Sequence, residues 1–432
     1  MWKLQALLYS FLIPKEFSVV LGTLNLSTYR VLLILLGPWV FWRLFIKRSF
    51  KWQALDTVAL AVCIWPFIAL SINSDIVTAI ESGGVLFLET FIPFFATRLV
   101  VYKYDHLVSL SKTLLIVASI MALTALPEAI TGTPFVHELA SLFTGNTFSY
   151  SPESRLGIWR SYGPTDHPII LGSICASALP IGLAISRRRS ILKGMTALSL
   201  SGVIASASSG PLLSVVAQAS LYIWSRITRG VAHKWWYLMF LLIAIYLIID
   251  ILSDRDPFRV MFSYLLFNEH NGYVRYNMWL NSFYLAGHSI QSFFVGYGFS
   301  TEMMSLLDNM FWTRLMSASV DSYWMVILLR YGAPMLILSV LWVVLVFRAN
   351  VRNYRRQHRK RERVLLQAWL ITAFSLSLVA CTVHFWGSTA SLYFIAMGAT
   401  SMGARRSSRR SLRRNYARAT GNKPLSKEAA SH

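Results

Sequence analysis

Apolar runs of about 18 to 22 residues recur along the chain with short basic punctuation, each long enough to cross about 30 Å of hydrocarbon as a helix. No other feature constrains the fold as strongly. Inside a bilayer every backbone N–H and C=O must find a partner within the protein, which leaves helices and closed barrels as spanning structures. The runs lie near 4 to 22, 28 to 46, 54 to 72, 79 to 100, 108 to 129, 168 to 186, 191 to 207, 210 to 226, 235 to 253, 319 to 347, 364 to 382 and 386 to 403, which predicts about twelve transmembrane helices. The first is broken by "IPKEF" at 13 to 17 and lacks the flanks and cleavage site of a secretory signal, so eleven is the alternative count. Mean hydropathy is +0.51, with 55% hydrophobic and only 14% charged residues. The fold class is therefore an all-α polytopic membrane protein.

Formal net charge is +22. In a soluble domain that excess would point to nucleic acid; in a membrane protein it is first a topology signal, because cytoplasmic loops collect Lys and Arg. With twelve spans, "IKRSFK" (46 to 51), "RLVVYKYDH" (98 to 106), "SRRRSILK" (186 to 193), "SRITRGVAHK" (225 to 234), "RANVRNYRRQHRKRER" (348 to 363) and both termini share one side, taken as the cytoplasm. The opposite side receives two long segments, about 130 to 167 and about 254 to 318, the latter between the ninth and tenth spans. This gives a transmembrane domain over 1 to 403. The Ser-rich basic tail from 404 to 432 cannot bury a core; it is expected to be disordered and to meet anionic lipid. Cys63, Cys175 and Cys381 all fall in apolar stretches, and the nine histidines show no HExxH, HxxH or CxxC spacing. No disulfide framework, metal centre or other cofactor is indicated.

Beyond the first spans, seven arginines are left unexplained by topology: Arg155, Arg160, Arg255, Arg259, Arg275, Arg314 and Arg330. Arg160 precedes "SYGPTDHPIILGS", a loop that runs into a span through Pro164 and Pro168. Arg275 sits in "HNGYVRYNMW", among aromatics and amides of the longest outer loop. Arg330 lies about two and a half turns into "SVDSYWMVILLRYGAP", a depth that costs a few kcal/mol unless the charge is paired or faces a wet cavity. Each arginine has a plain alternative as a salt bridge or a snorkelling anchor. A guanidinium stays charged at any working pH and fits phosphate two oxygens at a time, so several converging at one interface would suit a diphosphate. Asp321, at the start of a span, is either a helix cap or an acceptor of a hydroxyl proton. His167 in "DHP" and Tyr276 complete the candidate substrate-binding set, with a satisfied loop histidine and an interface aromatic as their plain readings. Arg30, Glu89 and Asp250, near or within spans, are the ionisable residues that a transporter reading would use.

The stretches "RSYGPTDHPIILGS" (160 to 173), "NGYVRYNMWLNSFYLAGHSIQSFFVGYGFS" (271 to 300) and "SVDSYWMVILLRYGAPMLIL" (319 to 338) resemble, in kind and in order, the bacterial O-antigen polymerase and O-antigen ligase superfamily. The shared pattern is an Arg, then Gly and an "HP" pair entering a span; an Arg followed by Trp and a "GxG" turn, here Gly296 and Gly298; then a span that opens on a polar pair. The resemblance covers about 160 to 340. It implies a GT-C-like fold in the bacterial inner membrane and inverting, metal-independent glycosyl transfer on the periplasmic face from undecaprenyl-pyrophosphate glycan to an acceptor hydroxyl. Arginines would stabilise the leaving diphosphate, and the outer loop would act as a lid. Implied partners are that lipid-linked oligosaccharide, membrane lipids and other assembly proteins such as a chain-length regulator, with no nucleic acid. On this reading Asp321 and Arg275 are catalytic, and Arg160, Arg275, Arg330, His167 and Tyr276 bind substrate. Ligases of the superfamily carry a His-Asn pair where this chain has Asp321 and Ser322. That departure favours a polymerase of O-antigen or exopolysaccharide repeat units over a ligase onto lipid A core; a lipid-linked oligosaccharide flippase is the alternative from another class.

Overall fold

A computed structural model of the chain describes residues 1–21, 24–47, 50–155, 157–186, 189–228, 230–231, 233–252, 256–257, 259–260, 269–300, 305–307, 316 and 320–402. The basic tail, Arg255, Arg314 and the carboxylates Asp254, Glu302 and Asp308 lie outside those residues. Helices dominate: α1 (Trp2–Tyr9), α2 (Thr28–Phe41), α3 (Ala54–Asn73), α4 (Ile76–Val100), α5 (Tyr104–Thr131), α6 (Phe135–Thr144), α7 (Pro168–Ile185), α8 (Ser190–Ala205), α9 (Ser209–Ile227) and α10 (Lys234–Leu252). After them come α11 (Glu269–Ala286), α12 (Ile290–Val295), α13 (Tyr323–Arg356), α14 (Lys360–Val379) and α15 (Ser388–Ser401). The only strands among the described residues form two antiparallel hairpins, β1 (Val19–Leu21) with β2 (Leu24–Leu26) and β3 (Ser154–Arg155) with β4 (Ile158–Trp159).

Seven of the described helices are long and apolar enough to cross a membrane: α2 extended to Ile46, α3, α4, α5, α7, α13 and α14. The protein is a multi-pass, all-α membrane protein. The shorter or less apolar α8, α9 and α15 pack against them: the ends of α4 and α15 and the start of α3 meet at one end of the bundle, where basic connections lie, and the end of α8, the start of α9 and the 380–387 connection lie at the other. These are called the basic end and the far end below. Helix starts follow local chemistry: Asp75 accepts a hydrogen bond from the Thr78 N–H at 3.0 Å at the head of α4, and Pro168 occupies the first turn of α7, where its missing N–H costs nothing.

The span expected over 4 to 22 is not a single helix. Helix α1 ends at Tyr9, short 3₁₀ turns follow, and the chain reverses in the β1–β2 hairpin. Pro14 supplies no N–H to continue a helix, and Glu16 needs a polar partner, which it finds in the His137 ring at 2.7 Å. The segment nonetheless climbs along α5. Gln5 Nε2 donates to Ser109 Oγ and Thr113 Oγ1 near the basic end of that helix, while Glu16 meets His137 beyond its far end.

The core forms where α5 packs on α7 and α8, α4 packs on α3 and α15, and α13 and α14 close against α3 and α7. At the basic end Arg98 and Asp56 are both fully buried. Arg98 Nη2 donates to Asp56 Oδ2 at 2.9 Å, and its Nη1 reaches the Ser401 and Met402 carbonyls at 3.2 and 3.3 Å. This charge, which topology reasoning counts as an exposed loop residue, instead ties α3 and α4 to the end of α15. Arg30, in the first turn of α2, and Glu89, on α4, meet each other at 2.8 Å, with Tyr29 donating to the same carboxylate.

Helix α13 is broken within the apolar bundle. At Gly332 the backbone adopts φ 80°, ψ 175°, a region that only glycine occupies without strain. The segment that ends at Gly296, also at positive φ, crosses it so closely that a Cβ on Gly332 would run into the Phe294 carbonyl oxygen. The carbonyls freed by the break are taken up: Leu329 O by Tyr297 N–H at 2.7 Å, Arg330 O by Gly298 N–H at 3.2 Å, and Tyr331 O by Trp65 Nε1 at 2.8 Å. Irregular backbone in a bilayer is tolerated only when its polar groups are satisfied in this way. The "GxG" stretch and the "RYGAP" stretch are therefore two halves of one crossing.

Candidate functional site

The far end of the bundle carries a cluster of charge. Its first part is the loop that follows the β3–β4 hairpin. Glu128, at the far end of α5 and 1% exposed, accepts the Tyr162 and Gly163 N–H groups on its two oxygens at 2.9 and 2.8 Å. Ser161 donates to the Ala125 carbonyl through its hydroxyl, and its N–H donates to the Ala205 carbonyl. So anchored, the loop holds Arg160, whose Nη1 donates to Glu153 Oε2, while Arg155 reaches the same oxygen at 3.3 Å. Glu153 is shared by both guanidiniums, and the first of them, Arg160, holds its carboxyl below the ordinary range.

His167 ends that loop and caps α7. Its Nδ1 accepts the Ile169 N–H at 3.2 Å, which leaves the proton on Nε2. Burial, and then the nearby Arg160, lower its pKa to about 4, so the ring is neutral at neutral pH. Asp321 and Arg155 also act on it electrostatically.

Arg275 approaches from the other side. It was expected in a loop; it lies on α11, whose Met278, Ser282 and Leu285 are buried, which orients one face of the helix toward the protein. Arg275 Nη2 lies 3.8 Å from Asp321 Oδ2. Its Nη1 is buried and finds no hydrogen-bond partner among the described residues. Burial depresses its pKa, Asp321 opposes that shift, and Arg155 adds to it. Arg155, Arg160, Arg275, Asp321, Glu153 and His167 therefore share one electrostatic neighbourhood with three guanidiniums against two carboxylates.

Asp321 does not cap α13. Ser322 does, accepting the Met325 N–H on its hydroxyl oxygen. The aspartate stands one residue earlier, with its side chain 47% exposed and turned to Arg275. Arg330 sits just before the break in α13, its guanidinium 4.6 Å from the centroid of Phe299. Tyr276, although adjacent to Arg275, faces Asp256 and Arg259 and is held by a hydrogen bond to Asp256.

Two residues that were not singled out in the sequence join this cluster. The connection from α14 to α15, residues 380 to 387, receives the Tyr323 N–H on the Ala380 and Val383 carbonyls and Trp279 Nε1 on the Cys381 carbonyl. It thereby packs under both Asp321 and α11. On it, the Trp386 ring lies 5.4 Å from His167, and His384 lies 6.0 Å from Trp386 and 6.3 Å from the stacked ring of Tyr323. Burial, and then Arg330, lower the His384 pKa to about 4. A short "VHFWGS" connection between apolar runs carries no periodic signal; the one available clue was a histidine and a tryptophan at the far end of the last two helices.

Among the described residues no group of three or more His, Cys, Asp or Glu side chains is arranged to hold a metal ion. No protein-family model matches the chain, and no curated protein matches it.

Proposed function

We propose that the protein is a glycosyltransferase that polymerises lipid-linked polysaccharide repeat units, in the manner of the O-antigen polymerases that its sequence resembles. The observation that carries this reading is the meeting of Arg155, Arg160 and Arg275 around Glu153, Asp321 and His167 at one end of a membrane bundle. Among the described residues three guanidiniums share two carboxylates, which leaves positive charge for a dianion, and Arg275 Nη1, without a hydrogen-bond partner among those residues, is a buried donor that a phosphate oxygen would satisfy. The chemistry is attack of an acceptor hydroxyl on the sugar C1 of a polyprenyl diphosphate glycan. The C1–O bond breaks with its electron pair going to the diphosphate, whose charge the arginines stabilise. Asp321 orients Arg275 or takes the hydroxyl proton.

The same reading puts the far end in the periplasm and the basic end and both termini in the cytoplasm of a bacterial inner membrane, in a GT-C-like bundle of about twelve spans. Its partners are undecaprenyl-pyrophosphate oligosaccharide, membrane lipids and a chain-length regulator. The test is elongation of lipid-linked oligosaccharide by purified protein in nanodiscs. Wild type should lengthen the glycan, and Arg275→Ala should lose at least about a hundredfold in rate, as removal of one transition-state donor does. Wild-type turnover by Arg275→Ala would sink the site assignment. A ligase reading draws support from the imidazole of His384 beside the cluster; it predicts glycan moved onto a different acceptor in place of longer chains on the same lipid.

A further inference from the structure

We infer that the connection between α14 and α15 is the acceptor half of the site, with His384 as the residue that receives the acceptor hydroxyl's proton and Trp386 as the face on which the acceptor sugar rests. This rests on the glycosyl-transfer reading and adds to it a base other than Asp321 and a second sugar site. Three observations carry it. His384 Nδ1 is buried, yet it has no hydrogen-bond partner among the described residues, an arrangement that costs free energy unless a ligand completes it. The Val383 carbonyl receives the Tyr323 N–H at 3.1 Å, so the residue next to His384 is hydrogen-bonded to the residue two after Asp321, and this connection is tied to the start of α13. Trp386 bridges His384 to His167, which belongs to the arginine cluster, so a ring lying on the indole would place its hydroxyls between the imidazole and the arginines.

Asp321 is already engaged, with its Oδ2 3.8 Å from Arg275 Nη2. His384 is neutral at neutral pH, so its Nδ1 lone pair is available if the proton sits on Nε2. Among the described residues Arg330 is the charged group that acts on it, and burial is the larger influence. A diphosphate arriving at the arginines brings negative charge that offsets Arg330 and makes the imidazole more basic when the acceptor is to be deprotonated. In the step, the acceptor O–H bond breaks and its proton passes to Nδ1. The oxygen's electron pair forms the new bond to C1, and the C1–O bond to the diphosphate breaks with its pair leaving on the phosphate.

The experiment uses full-length protein in nanodiscs, with undecaprenyl diphosphate as the binding probe and, as substrate, lipid-linked oligosaccharide extracted from source cells lacking this gene. His384→Asn, which keeps a polar group near the Nδ1 position but is no base, should lower kcat by a hundredfold or more, leave the melting temperature unchanged and keep the undecaprenyl diphosphate Kd within about twofold. Trp386→Ala should raise the acceptor KM more than it lowers kcat. Asp321→Asn should change the undecaprenyl diphosphate Kd through Arg275. If His384→Asn turns over at the wild-type rate while Asp321→Asn is inactive with unaltered diphosphate affinity, the base is Asp321 and this inference is overturned, with glycosyl transfer intact. If wild type binds the diphosphate but transfers no sugar, the glycosyl-transfer reading fails and takes this inference with it.

Discussion

Glu128 never touches the arginine cluster, yet it holds the loop that presents Arg160, and this makes it the sharpest test of how the fold builds the site. Its two oxygens accept the Tyr162 and Gly163 N–H groups at 2.9 and 2.8 Å in a fully buried setting. A hydrogen bond within a protein contributes a net of about 0.5–1.5 kcal/mol. Glu128→Gln keeps one amide oxygen but turns an NH₂ toward the second backbone N–H. The expected loss is one such bond plus the cost of one buried donor left without an acceptor, in all about 1.5–4.5 kcal/mol. Because Arg160 lies two residues before Tyr162, the released loop should also lower affinity for undecaprenyl diphosphate. Each tenfold in Kd corresponds to about 1.4 kcal/mol, so a tenfold loss would need only part of that strain to reach the arginine. Equilibrium unfolding in mixed micelles reads the first quantity, and binding of undecaprenyl diphosphate in nanodiscs reads the second. If Glu128→Gln matched wild type in both, the carboxylate would not be what holds this loop, and the account of Arg160 positioning would be wrong.

Arg98 and Asp56 should show strong coupling. Either residue changed singly to an apolar one leaves a buried charge and should cost about 3–5 kcal/mol, whereas Asp56→Leu with Arg98→Met should recover most of that, short of the bonds to Ser401 and Met402; additive losses in the double mutant would refute a buried pair. Gly332→Ala meets both the positive-φ backbone and the Phe294 carbonyl, and it should destabilise by at least about 3 kcal/mol by the same unfolding assay; a neutral effect would mean that the α13 break is not held as described. Burial depresses His167 and His384 from the ordinary 6.5 to about 4, so the unfolded chain binds their protons first as pH falls. Their stability contribution is intact above pH 6.5 and is lost progressively toward pH 4. Replacing both with Gln should flatten the melting temperature in that window relative to wild type; an unchanged pH slope would refute the assignment of neutral, buried rings.

The sequence alone determined that the chain is a helical membrane protein, and the reason is local. A bilayer demands about 20 apolar residues per crossing, and that demand is written residue by residue, as in Ala54–Asn73 and Pro168–Ile185. The leftover arginines were visible for a related reason, since Arg160 and Arg275 lie far from the basic loops that topology explains. At 4 to 22 the apolar content was legible, but the consequence of Pro14 and Glu16 was not, because the partner of Glu16 Oε1, His137, comes from a distant helix. Only the tertiary structure decided what the charges do. It buried Arg98 against Asp56, gave the helix cap to Ser322 and left Asp321 for Arg275, and turned Tyr276 away to Asp256. It brought the featureless connection carrying His384 and Trp386 beneath α11 and α13. Side-chain partners of this kind are fixed by which helices pack together, and the hydropathy pattern records that a helix is buried in lipid or protein without recording its neighbour.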